Sequence, residues 1–155
     1  MRLRLLVVLA AGIAAGAVIQ AAAFGGTAAK IQKPVTVHVI EHAKTDTVID
    51  TGKKGDTTGD LLTFHNPVFD RANAKQVGRD QGQCIRIAVG ASWECTWTTF
   101  LPGGHVTVEG PFFDTRNSVL AITGGTGIYR NARGAMVLES RAGGTQFDFV
   151  FRLIP

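Results

Sequence analysis

From Pro34 to the end of the chain, apolar residues come in short blocks rich in β-branched and aromatic side chains, each closed by glycine, proline or a polar turn. Eight such blocks predict strands: PVTVHVIEHA (34–43), GDLLTFHNPVFD (59–70), QCIRIAVG (83–90), WECTWTTFL (93–101), HVTVEGPF (105–112), SVLAIT (118–123), RGAMVLES (133–140) and TQFDFVFRLI (145–154). The gaps carry turn chemistry, among them Gly90-Ala91-Ser92, Pro102-Gly103-Gly104 and Gly143-Gly144. Most are too short for a parallel crossover, which needs about a dozen residues, so neighbours should pair antiparallel. No segment keeps a 3.6-residue apolar period for the length of a helix. The pattern predicts one all-β domain over residues 34–155, as an eight-stranded antiparallel up-and-down barrel or a sandwich.

Alternation assigns the faces. Cys84, Arg86 and Ala88 share one side of their strand, with Ile85, Ile87 and Val89 on the other; Trp93, Cys95 and Trp97 oppose Glu94, Thr96 and Thr98. Both sides are partly apolar, as expected of a barrel with an apolar cavity inside and an outer surface covered by another subunit.

The first residues break the pattern. Arg2 and Arg4 precede an apolar run from Leu5 to Ile19, and Ala21 and Ala23 stand where a signal peptidase requires small residues, so residues 1–23 read as a secretory signal peptide. The run is shorter than the roughly 20 residues of a membrane span and no second one follows, so a secreted protein without a stable membrane anchor is expected. Residues 24–33, FGGTAAKIQK, have no periodicity and read as a flexible tail. Loss of Arg2 and Arg4 with the signal leaves 14 basic against 12 acidic side chains, with no basic cluster denser than Lys53-Lys54. Nucleic acid is therefore not an expected partner.

Several motifs invite chemistry. GGTG in LAITGGTGIYRNARGAM (120–136) resembles a phosphate-gripping loop, but the third glycine position is Arg130 and a strand follows, so no helix N-terminus would hold a pyrophosphate. His38, Glu41 and His42 spell His-x-x-Glu-His, a zinc pattern that requires a helix; on a strand the two histidines stand about 13 Å apart. Neither a metal nor a cofactor is expected. Gly-x-Ser-x-Gly does not occur, and Asp60, Asp70, Glu109 and Asp114 lie beside turns, where Asp most often bonds backbone. Cys84 and Cys95 come from adjacent strands, two or three residues out of line in a simple hairpin register. A slipped register or bulge would permit a disulfide; otherwise they are buried thiols.

Four segments, GDLLTFHNPVFD, GQCIRI, HVTVEGPF and LAITGGTGIYRNARGAM, together resemble the plant allene oxide cyclases, and the last also resembles the Gly-Gly-Thr-Gly segment of dirigent proteins. The resemblance implies a calycin-like eight-stranded barrel, usually trimeric, with a cavity open at one end. In the cyclases that cavity closes a fatty-acid epoxide mainly by shape; in dirigent proteins it orients radicals for coupling. Asn66 falls on an Asn that helps hold a water, and Cys84 on a cavity Cys. The cyclases' essential Glu in the first strand has Glu41 as its one counterpart in VTVHVIEHAKTDTV, out of register without a gap, and their Ser-Pro is missing. The resemblance thus implies an isomerase or cyclase with Asn66, Cys84 and Glu41 as catalytic candidates, and Phe64, Arg86, Trp93 and Trp97 are the ligand-binding candidates for the cavity lining. The ligand would be an apolar small molecule. A non-catalytic binding module and a structural secreted barrel are the alternatives, the last predicting no cavity of roughly a few hundred cubic ångströms.

Overall fold

The computed structural model describes residues 34–154, so the expected signal peptide (1–23) and tail (24–33) lie outside the described residues. Nine strands follow in order: β1 (Val35–His42), β2 (Thr47–Ile49), β3 (Leu61–Asp70), β4 (Gln76–Ala88), β5 (Ser92–Leu101), β6 (Gly104–Phe113), β7 (Ser118–Gly125), β8 (Arg133–Arg141) and β9 (Gln146–Ile154). From β3 to β9 each strand pairs antiparallel with the next, and β1 pairs with both β9 and β3. Since β1 covers Val68 to Asp70 of β3 and β2 covers Leu61 to Thr63 on the same edge, β1 and β2 act as one stave. The result is a closed eight-stranded antiparallel barrel, which leaves little free edge.

The eight predicted blocks all form strands, with two differences. The three-residue β2 was not expected, and β4 begins at Gln76 instead of Gln83. Its first half, QVGRDQG, is polar and glycine-rich and reads as a loop. Gly82 is there because β4 runs so close to β5 that a Cβ would enter the space of Trp97. Gly82 stands directly opposite Trp97 in the β4–β5 ladder, and this close approach of the neighbouring strand, which no local pattern reports, creates that need.

Inward positions on β5 alternate cleanly: Trp93, Cys95, Trp97, Thr99 and Leu101 are buried. Val39, Val68, Val106, Val108, Ile122, Met136, Phe151 and Leu153 help fill the core. On the outer face, Ile49, Leu61 and Ile85 lie side by side in the ladder, and Ile49, Ile85, Ile87 and Val89 are about half exposed.

The β4–β5 hairpin corrects the expected cysteine register. Its turn is centred nearer Gly90 (φ 66°), with a bulge between Arg86 and Ala88, so Cys84 stands directly opposite Cys95. The two form a disulfide with Cα atoms 4.0 Å apart. GGTG is a turn: β7 runs to Gly125, a 3-10 turn spans Gly127–Tyr129, and Gly127 takes a left-handed φ of 60° against the backbone of Gly103. Among the described residues no helix is long and apolar enough to cross a membrane.

Candidate functional site

The site grows from the seam where β1 ends and β2 begins. The corner residues Lys44 and Thr45 turn away from the ladder, and their N–H groups donate instead to the side-chain Oδ1 of Asn66 on β3, at 2.8 and 3.0 Å. Two backbone donors on Oδ1 fix which way the amide faces. Its nitrogen must then point at acceptors, and it donates to Glu41 Oε1 at 2.5 Å and Asp46 Oδ1 at 2.7 Å. The Asn66 backbone N–H donates to Asp80 Oδ1 at 3.2 Å. One fully buried asparagine thus closes the barrel seam and gathers three carboxyl groups.

Electrostatics follow from this crowding. Burial pushes the Glu41 carboxyl up to about 7, the neighbouring Asp46 charge adds to the rise, and the Asn66 bond opposes it. Burial likewise raises Asp80 well above the usual carboxylate range, with the charge of Glu41 reinforcing it. Asp80 stands opposite Thr99 in the β4–β5 ladder, and Asp80 Oδ2 and Thr99 Oγ1 have no hydrogen-bond partner among the described residues.

Beside this hub lies an apolar cavity of about 60 Å³. Glu41 and Asp46 enter it, and the rings of Phe64, Trp97, Phe112, Phe147 and Phe149 wall it together with Leu62, Leu138 and the Cys84–Cys95 disulfide. Trp97 packs edge-on to Phe64 at 6.0 Å and against Phe149 at 5.5 Å. No Lys, Arg or His side chain is among the lining residues.

The structure therefore brings Glu41, Asn66, Cys84, Phe64 and Trp97 together, with Asn66 behind Glu41. Cys84 needs correction as a candidate thiol, because its sulfur is bonded to Cys95 and carries no nucleophile. Arg86 and Trp93 do not line the cavity. Arg86 stacks on the Trp93 ring at 4.0 Å and pairs with Asp56 and Asp114, each at 2.7 Å, so its charge is spent on tying two loops to the barrel. Asp60, as its turn position suggested, bonds backbone: the Thr57 and Thr51 N–H groups hold its carboxyl below its ordinary value. The two histidines of HVIEH diverge, His38 bonding Asp148 at 2.6 Å and His42 bonding Asn73 at 2.7 Å while stacking on Phe69. Among the described residues no three His, Cys, Asp or Glu side chains converge as metal ligands.

Sequence reasoning missed Asp46, Asp80, Phe112, Phe147 and Phe149. For Asp80 a signal existed: it lies four residues before Cys84, an even spacing that puts both on one face once the strand is extended through Gly82.

The sequence model of the allene oxide cyclase family matches residues 27–153. Among solved structures, the fold is similar to a pyocyanin demethylase with 27% identity over 76% of this chain and 100% of that one, TM-score 0.66. A pterocarpan synthase dirigent protein matches at 20% identity over 79% of this chain and 97% of the other, TM-score 0.64. An exo-specific intermolecular Diels-Alderase matches at 12% identity over 79% and 98%, TM-score 0.63.

Proposed function

Because the chain belongs to the allene oxide cyclase family, we propose that it binds a largely apolar small molecule in the barrel cavity and steers its cyclisation, isomerisation or coupling. The observation that carries this reading is Glu41, a carboxyl buried at an aromatic cavity, oriented by Asn66 and titrating at about 7. Near neutral pH such a group is present in both protonation states, so it can give a proton to one atom of a ligand and take one from another. An isomerisation run this way conserves atoms and electrons without a co-reactant. The walls contribute by excluding water and limiting the ligand to few conformations. The pyocyanin demethylase, at 27% identity, is named for action on a small molecule, which supports the same class of ligand here.

A cavity of about 60 Å³ is smaller than the roughly 300 Å³ or more of ordinary ligand sites. The half-buried rings of Phe64, Phe112 and Phe147 must turn aside for a larger ligand to enter. The same small volume favours a second reading, a barrel filled by its own side chains that serves structurally. Incubating purified protein with polyene and epoxide probes separates the two. A changed product ratio or stereochemistry, lost in Glu41→Gln, supports the catalytic reading; no change in any product, with no saturable quenching of tryptophan fluorescence, supports the structural one.

Export and self-association belong to the same proposal. Residues 1–23 favour secretion, with the mature chain starting at Phe24. N-terminal sequencing of the protein recovered outside the cytoplasm tests this. The outer apolar row of Ile49, Leu61 and Ile85 favours a homo-oligomer, with a trimer as the expected form.

A further inference from the structure

The chemistry of the cavity narrows its ligand further. Its polar lining consists of two carboxyl groups, Glu41 and Asp46, and five aromatic rings make up most of the rest. Every donor bonded to these carboxyls is neutral, since the Asn66 side chain serves Glu41 and Asp46 while its backbone N–H serves Asp80. The titratable groups around Glu41 are therefore Asp46 from the β1–β2 corner and Asp80 from β4, the latter held toward its neutral form by burial, with Asn66 on β3, Trp97 on β5 and Phe147 and Phe149 on β9 adding none. Of the neighbouring charges, Asp148 pairs with His38 and Arg141, and Arg86 with Asp56 and Asp114, while Lys44 at the same corner as Asp46 is exposed and does not line the cavity. Asp80 Oδ2 is buried and has no hydrogen-bond partner among the described residues, but Asp80 is not one of the cavity's lining residues, so the acceptors that a ligand meets are those of Glu41 and Asp46. A carboxylate entering here would meet like charge without a counter-ion. A metal ion would find no converging set of three ligands among the described residues. A diffuse organic cation suits both the carboxylates and the negative faces of the rings.

We propose that the cavity takes an organic nitrogen cation, the protonated or N-alkylated end of an aromatic ring, held by the aromatic walls against Glu41 and Asp46. This rests on the cavity being the ligand site proposed above. A volume of about 60 Å³ suits the charged nitrogen and its alkyl group, with the remainder of the ring lying among Phe64, Phe112 and Phe147. Because a bound cation favours the ionised form of Glu41, binding releases a proton near pH 7 and strengthens as pH rises from 6 to 8.

The test uses the mature chain and three probes of one shape at pH 8, titrated by calorimetry: 1-methylquinolinium (cationic), quinoline (neutral) and 1-naphthoate (anionic). The expected result is that 1-methylquinolinium binds about tenfold tighter than quinoline, with 1-naphthoate weakest, and that proton release appears in buffers of different ionisation heat near pH 7. Glu41→Gln should remove the pH dependence, and Asp46→Asn, at an exposed position that leaves the fold intact, should reduce the cation preference. Equal binding of cation and neutral probe, or tightest binding of 1-naphthoate, overturns the cation and leaves the cavity as a ligand site. If none of the three binds, the cation proposal fails as well, and the probe reactions with polyenes and epoxides decide the broader function separately.

Discussion

Asn66 shows how one residue can serve the fold and the site together. Its Oδ1 replaces ladder partners for Lys44 and Thr45, and its amide nitrogen is shared by two carboxyls. Asn66→Ala would leave two backbone N–H groups and the buried Glu41 carboxyl without partners, so a loss of about 2–4 kcal/mol is expected in chemical denaturation. A variant as stable as wild type would show that the seam closes without it. Glu41 has the opposite balance. Its folded pKa of about 7 lies above the ordinary 4.5, so between those values the folded chain holds a proton that the unfolded chain has released. Stability therefore falls as pH rises through that window, by on the order of 3 kcal/mol in full. Glu41→Gln should melt at a higher temperature than wild type at pH 8, with the gap closing by pH 4; a gap independent of pH would contradict this account. Resemblance and strand pattern made Glu41 and Asn66 legible in the sequence. Asp46 was not, because it lies in a corner, and the one signal for Asp80, its even spacing from Cys84, sits in a glycine-rich stretch that reads as a loop.

The β4–β5 hairpin carries the clearest element-scale consequence. Its faces were readable from alternation, yet its register depended on a turn centred on Gly90, about one residue earlier than the Gly90-Ala91-Ser92 stretch suggested, and on a bulge after Arg86. Only that shift sets Cys84 opposite Cys95. Closing so short a loop stabilises the folded state by about 3 kcal/mol through the unfolded chain. The double variant Cys84→Ala/Cys95→Ala should therefore melt roughly 10 °C or more below wild type. Wild type melted in excess dithiothreitol should fall by a similar amount, and an unchanged melting temperature in both would mean that the bond contributes nothing. Gly82 marks the other half of β4, where the close approach to Trp97 excludes any side chain. A propensity-based reading treats such glycines as breaks, because the contact that requires them comes from a different strand.

For the whole molecule, closure of β1 on both β9 and β3 turns an alternating sequence into a barrel with one apolar inside and one partly apolar outside. The outside row at Ile49, Leu61 and Ile85 is the surface expected to meet another copy. Light scattering should give three times the chain mass, and Ile85→Lys should reduce it to one without lowering the β content seen by circular dichroism. A monomeric wild type would remove the oligomer. The sequence by itself determined eight antiparallel staves and the inward set on most of them, since alternation of period two is local and survives without tertiary context. Tertiary structure alone decided which groups share the site. Glu41, Asn66 and Asp80 lie 25 and 14 residues apart and meet only through the register of three strands. A one-residue slip in any of those strands would turn its side chains to the opposite face, so no local pattern could have shown the carboxyl cluster or the bonded state of Cys84.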